Sequence, residues 1–387
     1  MDYEARKVVE ALRSGIPSRT IGGYFGGART ELIAEMSEWL DIQESNGMIL
    51  TASYGEGKTH MLNTVYNMAL SKHSAVSLVS LSRETPFNNL CTVYQDIARN
   101  TFLPGREQPG FEHLIGQLPP GAMMELQLFA AKELQTDKLY YSLKSFSNTD
   151  NPDIRFALLA DLQGNFLTSQ QLKKIYKDIF GENIVFSTSF VKSRHIWDYF
   201  LFLDRLFAVS GLNGWVILFD EAENIGRLGR KTRFAAYANM AKFLSRGAGN
   251  IRSLFTITNN YVMQVIDGKD ERKSLAEAEG IDREQIEYTL SRIEHARELI
   301  PLTRDEFMQI LNRIVDFHTR AYAWNPGIDI ADLCETAWSR GYYLRTKIRA
   351  AIEYLDQIYQ YGDAVAITAG DLEQETYLEE IPLPEDL

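Results

Sequence analysis

The stretch from Thr51 to Leu62 reads TASYGEGKTHML and follows the apolar run Gly47-Met48-Ile49-Leu50. Gly55 and Gly57 allow the chain to curl tightly, and a helix starting behind them offers unpaired backbone N–H groups to whatever sits in the curl. That is the chemistry of a phosphate cradle, in which Gly55, Glu56, Gly57, Lys58, Thr59 and His60 surround phosphate oxygens. Lys58 would reach the β- and γ-phosphates of ATP, and the Thr59 hydroxyl would face Mg²⁺. The full pattern G-x-x-x-x-G-K-[ST] calls for glycine at position 52, where this chain has Ala52. A methyl group fits at the end of a strand, so the departure is mild. A plain structural turn before a helix is the alternative.

A second segment must complete such a pocket. Trp215 to Phe219 is an unbroken apolar run of strand length, and it ends in Asp220-Glu221. Asp220 would hold Mg²⁺ through water, and Glu221 would polarise the attacking water as general base. The alternative is a buried strand that ends in two surface acids. The tetrad "DEAE" (220–223) invites comparison with helicases, as does the arginine-rich "IGRLGRKTR" (225–233). A helicase carries its arginine motif in a second domain far downstream, whereas only 166 residues follow Glu221. That order argues against a helicase.

The elements that would position these groups alternate in type. Helical spacing covers 1–20, 31–40 and 59–70; strands are expected at 48–51, 74–82, 214–219, 253–260 and 295–302. From about 87 to 191 the alternation breaks into a helical, proline-punctuated insertion, and 303–361 is expected to be helical throughout. The alternation makes the fold class α/β, a parallel five-stranded sheet flanked by helices with that insertion and a C-terminal helical segment; with its phosphate loop it resembles the P-loop, AAA+ arrangement, whose C-terminal helices form a lid. The expected divisions are a nucleotide-binding domain over 1–302, a lid over 303–362 and an acidic tail over 363–387.

Several further residues resemble fixed positions of AAA+ ATPases. SLFTITNN (253–260) offers Asn259 to orient the water, with Asn260 or Thr258 as alternatives. Arg292, before the fifth strand, is placed like the arginine finger of initiator-type members, which reaches a neighbour's γ-phosphate; Arg297 is the substitute. RGYYLRTKIRAAIEYLDQI (340–358) resembles the lid helix with its phosphate-sensing arginine, and Arg345 fits, with Arg340 and Arg349 as alternatives. Guanidinium suits that task because it pairs bidentately with phosphate oxygens. YFGGARTELIAEM (24–36) resembles the segment that embraces adenine, so residues 21–27 are expected to line the base.

VVEALRSGIPSRT (8–20), ASYGEGKTHML (52–62) and ILFDEAENI (217–225) together resemble the ATP-binding proteins of BREX-type phage-defence systems, of the BrxD type. The resemblance covers most of the chain and is weakest over 100–190. It implies an AAA+ ATPase of bacterial antiviral defence that uses ATP and Mg²⁺ and acts on DNA with a partner, a helicase or another component of the system.

Composition limits the partners. The net charge of −12 is unlike that of a free-standing nucleic-acid binder, so any DNA contact needs a local patch or an assembled ring. Arg227, Arg230, Lys231 and Arg233 form such a patch: four cations in seven residues, which a homo-oligomeric ring would multiply into a collar for a phosphate backbone. An ordinary solvated helix start is the alternative. The 371–387 tail carries seven acids and no Lys or Arg, and reads as a solvated end or a docking peptide. Cys91 and Cys334 have no metal-ligand spacing and suit a reducing cytosol. With no signal segment and no bilayer-spanning apolar run, a cytoplasmic protein without membrane contact is expected. Two functions remain open: an ATP-hydrolysing machine acting on DNA, and a nucleotide-gated adaptor resembling transposition regulators that recruits a partner with slow or no hydrolysis.

Overall fold

A computed structural model describes residues 2–15, 19–25, 28–42, 47–245, 250–364 and 367–370. Among them, six strands make one sheet: β1 (Met48–Ala52), β2 (Ala75–Ser80), β3 (Thr101–Phe102), β4 (Trp215–Asp220), β5 (Ile251–Thr258) and β6 (Arg297–Glu298). Their spatial order is β3-β2-β4-β5-β1-β6. Every pair is parallel except β2 with β3.

The sequence dictates the middle of this sheet directly. Along β4, Trp215, Ile217 and Phe219 enter one apolar core while Val216 and Leu218 enter another. A parallel strand covered on both faces must be apolar at every position, so it reads as a run without alternation. Phe219 of β4 and Phe255 of β5 stack with ring centroids 4.4 Å apart, and Phe87 and Phe243 close on them edge-on.

The expectation of five parallel strands is corrected at the edge. The sixth strand, β3, runs antiparallel to β2, and the Ser77 and Thr101 hydroxyls join at 2.7 Å. It covers the outer edge of β2, whose backbone groups would otherwise lack partners. Two residues are too few to carry a periodicity, so no pattern announces it. The strand expected over 295–302 is only two residues long, and Leu299 N–H adds one further bond to Thr51 O at 2.7 Å. Pro301, which has no N–H, follows shortly.

The stretch expected to be a helical insertion thus contains a strand, and its helices are not a separate body. Tyr94, Phe111, Leu126, Leu139, Phe146 and Tyr176 belong to the core on one face of the sheet. A buried ion pair fixes their arrangement. Lys138 Nζ donates to Asp161 at 2.7 Å and meets the Tyr199 hydroxyl at 2.5 Å, bridging three helical segments. Such a pair specifies position more than it adds stability, because desolvation offsets most of the attraction.

The C-terminal segment is three helices, Arg304–Tyr322, Ile330–Trp338 and Leu344–Tyr361, and not one continuous run. Breaks fall at the Asn325-Pro326-Gly327 turn and around Gly341. The N-terminal helix Tyr3–Ser14, capped by Asp2 and ended by Gly15 at φ 68°, packs with them. Its Ala5, Val8, Val9 and Leu12 share a core with Phe307, Leu311, Ile314, Ala350 and Leu355. The two ends of the chain therefore build one helical body. Most of the expected acidic tail, residues 371–387, lies outside the described residues. Among the described residues no helix is long and apolar enough to cross a membrane.

A clasp holds the N-terminal helix in this body. Arg13 grips both carboxylate oxygens of Asp356 at 2.8 and 2.7 Å and meets the Tyr322 hydroxyl at 3.0 Å. Arg13→Ala should lower stability by about 1–2 kcal/mol in urea unfolding, the range for a charged, partly exposed hydrogen-bonded pair. Burial raises the Asp356 carboxyl, but hydrogen bonds from His318 and Arg13 outweigh it and hold the group below the ordinary aspartate value. A depressed acid stabilises above its unfolded value, so the advantage over Arg13→Ala should fade as pH falls through the lowered one.

Candidate nucleotide site

Parallel β1, β4 and β5 end at one edge of the sheet, and the chain leaves each end through a polar segment. After β1 the loop turns at Gly55 (φ 79°) and Gly57 (φ 97°) before the helix Lys58–Ser71 begins. Both glycines are required. A Cβ on Gly55 would sit 3.0 Å from the Tyr343 Cβ, and both backbones are left-handed. Ala52 is 1% exposed, and its methyl is buried with Leu50 and Leu62. The residue that replaces the pattern's first glycine thus points into the core.

Lys58 is buried, and Nζ donates to the carbonyls of Ala52 at 3.2 Å and Ser53 at 3.5 Å. Desolvation pulls its pKa down, against the attraction of Glu223, Asp220 and Glu221. The Thr59 hydroxyl donates to Asp220 Oδ2 at 2.6 Å. Asp220 Oδ1 accepts from Thr256 at 2.5 Å and from the Glu221 N–H at 2.9 Å. Glu221 is exposed and left-handed (φ 56°), and Asn224 Nδ2 approaches its Oε2 at 3.4 Å. Asn259 donates to Ser53 Oγ at 2.9 Å, which sets its amide against the phosphate loop. Thr258 pairs with Ala52 along the strand, and Asn260 has no hydrogen bond to the loop among the described contacts.

Arg345 reaches the loop from the helical body. Its N–H meets Gly55 O at 3.3 Å, and its guanidinium lies 3.2 Å from the Tyr54 hydroxyl. Of the alternatives, Arg340 donates to Ile367 O, and Arg349 lies beside Gly15. The cleft between loop and helical body is walled by Ala11, Leu12, Phe25, Ile310, Leu344 and Ile348. Among the described side chains of the expected 21–27 base wall, Phe25 lines the cleft; Gly26 and Gly27 lie outside the described residues. His60 also lines the cleft. Burial and the nearby Arg29 push its pKa down to about 4, so its ring is neutral at pH 7.

Other expected residues are elsewhere. Arg292 Nη2 donates to Gly47 O at 2.6 Å, just ahead of β1 and so at the end opposite the loop. Arg297 pairs with Glu35 at 3.0 Å. Within one chain neither meets the cleft. The basic patch needs a correction at Arg233, which is 2% exposed and bonded to Glu271 and Leu228 O, so it is closed to any nucleic acid. A buried guanidinium needs a buried carboxylate, and Glu271 lies 38 residues away, beyond any local pattern. Arg230 and Lys231 are exposed, and Arg227 is half-buried.

Three contributors escape sequence reading. The N-terminal helix lines the cleft although it is remote in the chain. Glu223 faces into it. Arg29 braces the loop from behind: Nη2 donates to Glu56 O at 3.0 Å and to Ile300 O at 3.1 Å, and its N–H to Glu306 at 3.1 Å. The glycine-arginine stretch marked Arg29 as part of a functional segment, but nothing local tied it to Glu56.

The family described as BREX system ATP-binding protein BrxC/D matches residues 2–126 and 131–368. No curated protein matches the chain. Among solved structures it is similar to the Walker-type ATPase paby2304 of Pyrococcus abyssi, at 14% identity and TM-score 0.37, with 87% of this chain and 68% of that one covered. A likeness so distant carries no argument about the site.

Arg29→Ala should weaken ATP binding about tenfold, or ~1.4 kcal/mol, by loosening the loop rather than removing a ligand contact. Calorimetric titration of ATP with Mg²⁺ into the variant measures this, and an unchanged affinity would contradict the bracing role.

Proposed function

Since the chain belongs to the BREX system ATP-binding protein BrxC/D family, we propose that it binds ATP with Mg²⁺ in this cleft and hydrolyses it. The observation that carries the reading is the 2.6 Å contact between Thr59 and Asp220, which are 161 residues apart. A hydroxyl at a helix N-terminus and a strand-end acid, brought together beside a buried lysine, suit a metal-complexed triphosphate better than any other ligand.

The residues fit the group. The left-handed Gly55 and Gly57 curl the loop along the cleft, and Lys58 and Arg345 supply positive charge there. Thr59 and Asp220 would hold Mg²⁺, which would neutralise the negative charge of the phosphates. The apolar wall of Leu12, Phe25, Ile310 and Ile348 accepts the base and keeps water from it. Glu221 takes a proton from the attacking water, and Asn259 orients that water from beside Ser53. Arg345 joins the helical body to the loop, so a change at the phosphates is felt by the lid and by the N-terminal helix packed on it.

Arg292 lies at the far end of β1, so we assign any finger role to a second copy and expect a homo-oligomer. DNA is proposed as the substrate that the assembly acts on, through exposed Arg230 and Lys231, with a helicase or another defence component as partner.

ATP turnover measured with and without single- and double-stranded DNA tests this. Glu221→Gln should cut turnover at least about a hundredfold while ATP affinity stays within about threefold. Turnover per chain should rise with protein concentration if a second copy completes the site, and Arg292→Ala should flatten that rise. Nucleotide binding without hydrolysis under every condition would reject the hydrolytic reading and favour a nucleotide-gated adaptor.

A further inference from the structure

Arg233 belongs to a cationic stretch, yet it is buried, and so is Glu271, the carboxylate that accepts from its Nε. A second contact gives the pair a task. Arg233 Nη1 donates to Leu228 O, immediately after the turn Ala222–Arg227 that follows Glu221.

That turn needs holding. Glu221 is a non-glycine residue at φ 56°, a left-handed conformation that persists only where its surroundings enforce it. The Glu221 N–H donates to Asp220 Oδ1 at 2.9 Å, and the Asn224 N–H donates back to Glu221 O at 3.0 Å. Ala222 and Ile225 are buried, and the Leu228 N–H closes on Ile225 O at 3.1 Å. Beyond Leu228 the helix Arg230–Leu244 starts at Gly229 with no side-chain cap. Arg233 secures this junction twice: its N–H donates to Gly229 O at 2.8 Å, and its guanidinium to Leu228 O.

The far end of the clamp is fixed as well. A guanidinium is planar, so the carboxylate that takes Nε also sets the direction of Nη1. One turn along the helix from Arg233, the Tyr237 hydroxyl meets the Tyr261 hydroxyl at 2.8 Å, and Thr289 donates to Tyr237 O at 2.9 Å. The helix that carries Arg233 is thus pinned through buried contacts of its own. Meanwhile the Asp220 carboxylate is held separately, by Thr59 and Thr256.

We propose that Arg233 is a positioning residue for hydrolysis: braced by Glu271, it fixes the turn that presents Glu221, and so governs the rate of the chemical step without governing affinity for ATP. This rests on the reading of Glu221 as general base. A base acts only within hydrogen-bond reach of the water it deprotonates, so a small shift of the turn slows turnover strongly. The groups proposed to hold phosphate and Mg²⁺ lie in the loop after β1 or at the end of β4, ahead of the turn, so binding is spared.

Turnover and ATP affinity in Mg²⁺ are to be measured on the full chain for the wild type, Arg233→Lys, Arg233→Met with Glu271→Leu, Glu221→Gln, and Glu221→Gln with Arg233→Lys. Lysine keeps a charge for Glu271 but has no planar fork to reach Leu228 O as well. The apolar pair removes both charges, so that neither is left buried alone. Each should cut kcat about tenfold and keep the calorimetric ATP affinity within about threefold of wild type. In the Glu221→Gln chain, where the positioned group is gone, Arg233→Lys should lower turnover by less than about twofold more. Thermal melts verify folding, and the apolar pair carries the test if lysine is not accommodated. Wild-type turnover in the folded Arg233 variants overturns the proposal. So does a tenfold loss that repeats undiminished on the Glu221→Gln background, or an equal loss of turnover and affinity, either of which marks a merely structural residue. If the wild type does not hydrolyse ATP, or Glu221→Gln keeps wild-type turnover, the general-base reading itself fails and takes this inference with it.

Discussion

The carboxylate of Asp220 is the point on which the site depends. Its two oxygens accept from Thr59, Thr256 and the Glu221 N–H, so one side chain ties together the ends of β4, β5 and the helix that follows β1. A buried acid is tolerable only when its acceptors are filled, and these partners come from three strand ends that parallel pairing brings to one edge. The sheet order places β5 between β4 and β1, and that spacing is what lets Thr256 and Thr59 converge on one carboxylate.

Around that anchor the molecule is arranged in two bodies that meet at the phosphate loop. The sheet with its buried helical block supplies the loop and the acids. The helical body, made from both ends of the chain, supplies Arg345 and the apolar wall. The polar contacts between them include Arg345 with Gly55 and Tyr54, and the Arg29 backbone with Glu306, whose carboxylate also closes the cap of the Arg304–Tyr322 helix at Thr303. Polar contacts of this kind can rearrange at lower cost than the close-packed cores on either side. The proposed coupling of nucleotide to lid movement draws on this difference.

Charge in this protein is decided by burial more than by count. Four cations in seven residues resemble a uniform basic patch, yet Arg233 is spent on Glu271 inside the protein while Arg230 and Lys231 remain in water. In "DEAE" the last acid, Glu223, is half-buried and lines the cleft with Lys58. In each case the facing residue lies far along the chain, so no spacing rule reaches it.

What the sequence determined by itself is the set of features encoded within a few residues: the glycine-lysine-threonine loop behind an apolar strand, the continuous buried run of β4 ending in acids, and the helical periodicity of the C-terminal segment. These follow from backbone freedom and side-chain alternation, which act locally. The Asn325-Pro326-Gly327 break is encoded just as locally. Tertiary structure decided the rest. It brought Arg345 and Asn259 against the loop, took Arg292 to the other end of β1, added β3 to the sheet edge and folded the N-terminal helix against the C-terminal helices. Those outcomes depend on which surfaces bury one another and which charges find partners across long stretches of chain, and that is a property of the packed molecule, not of any segment of it.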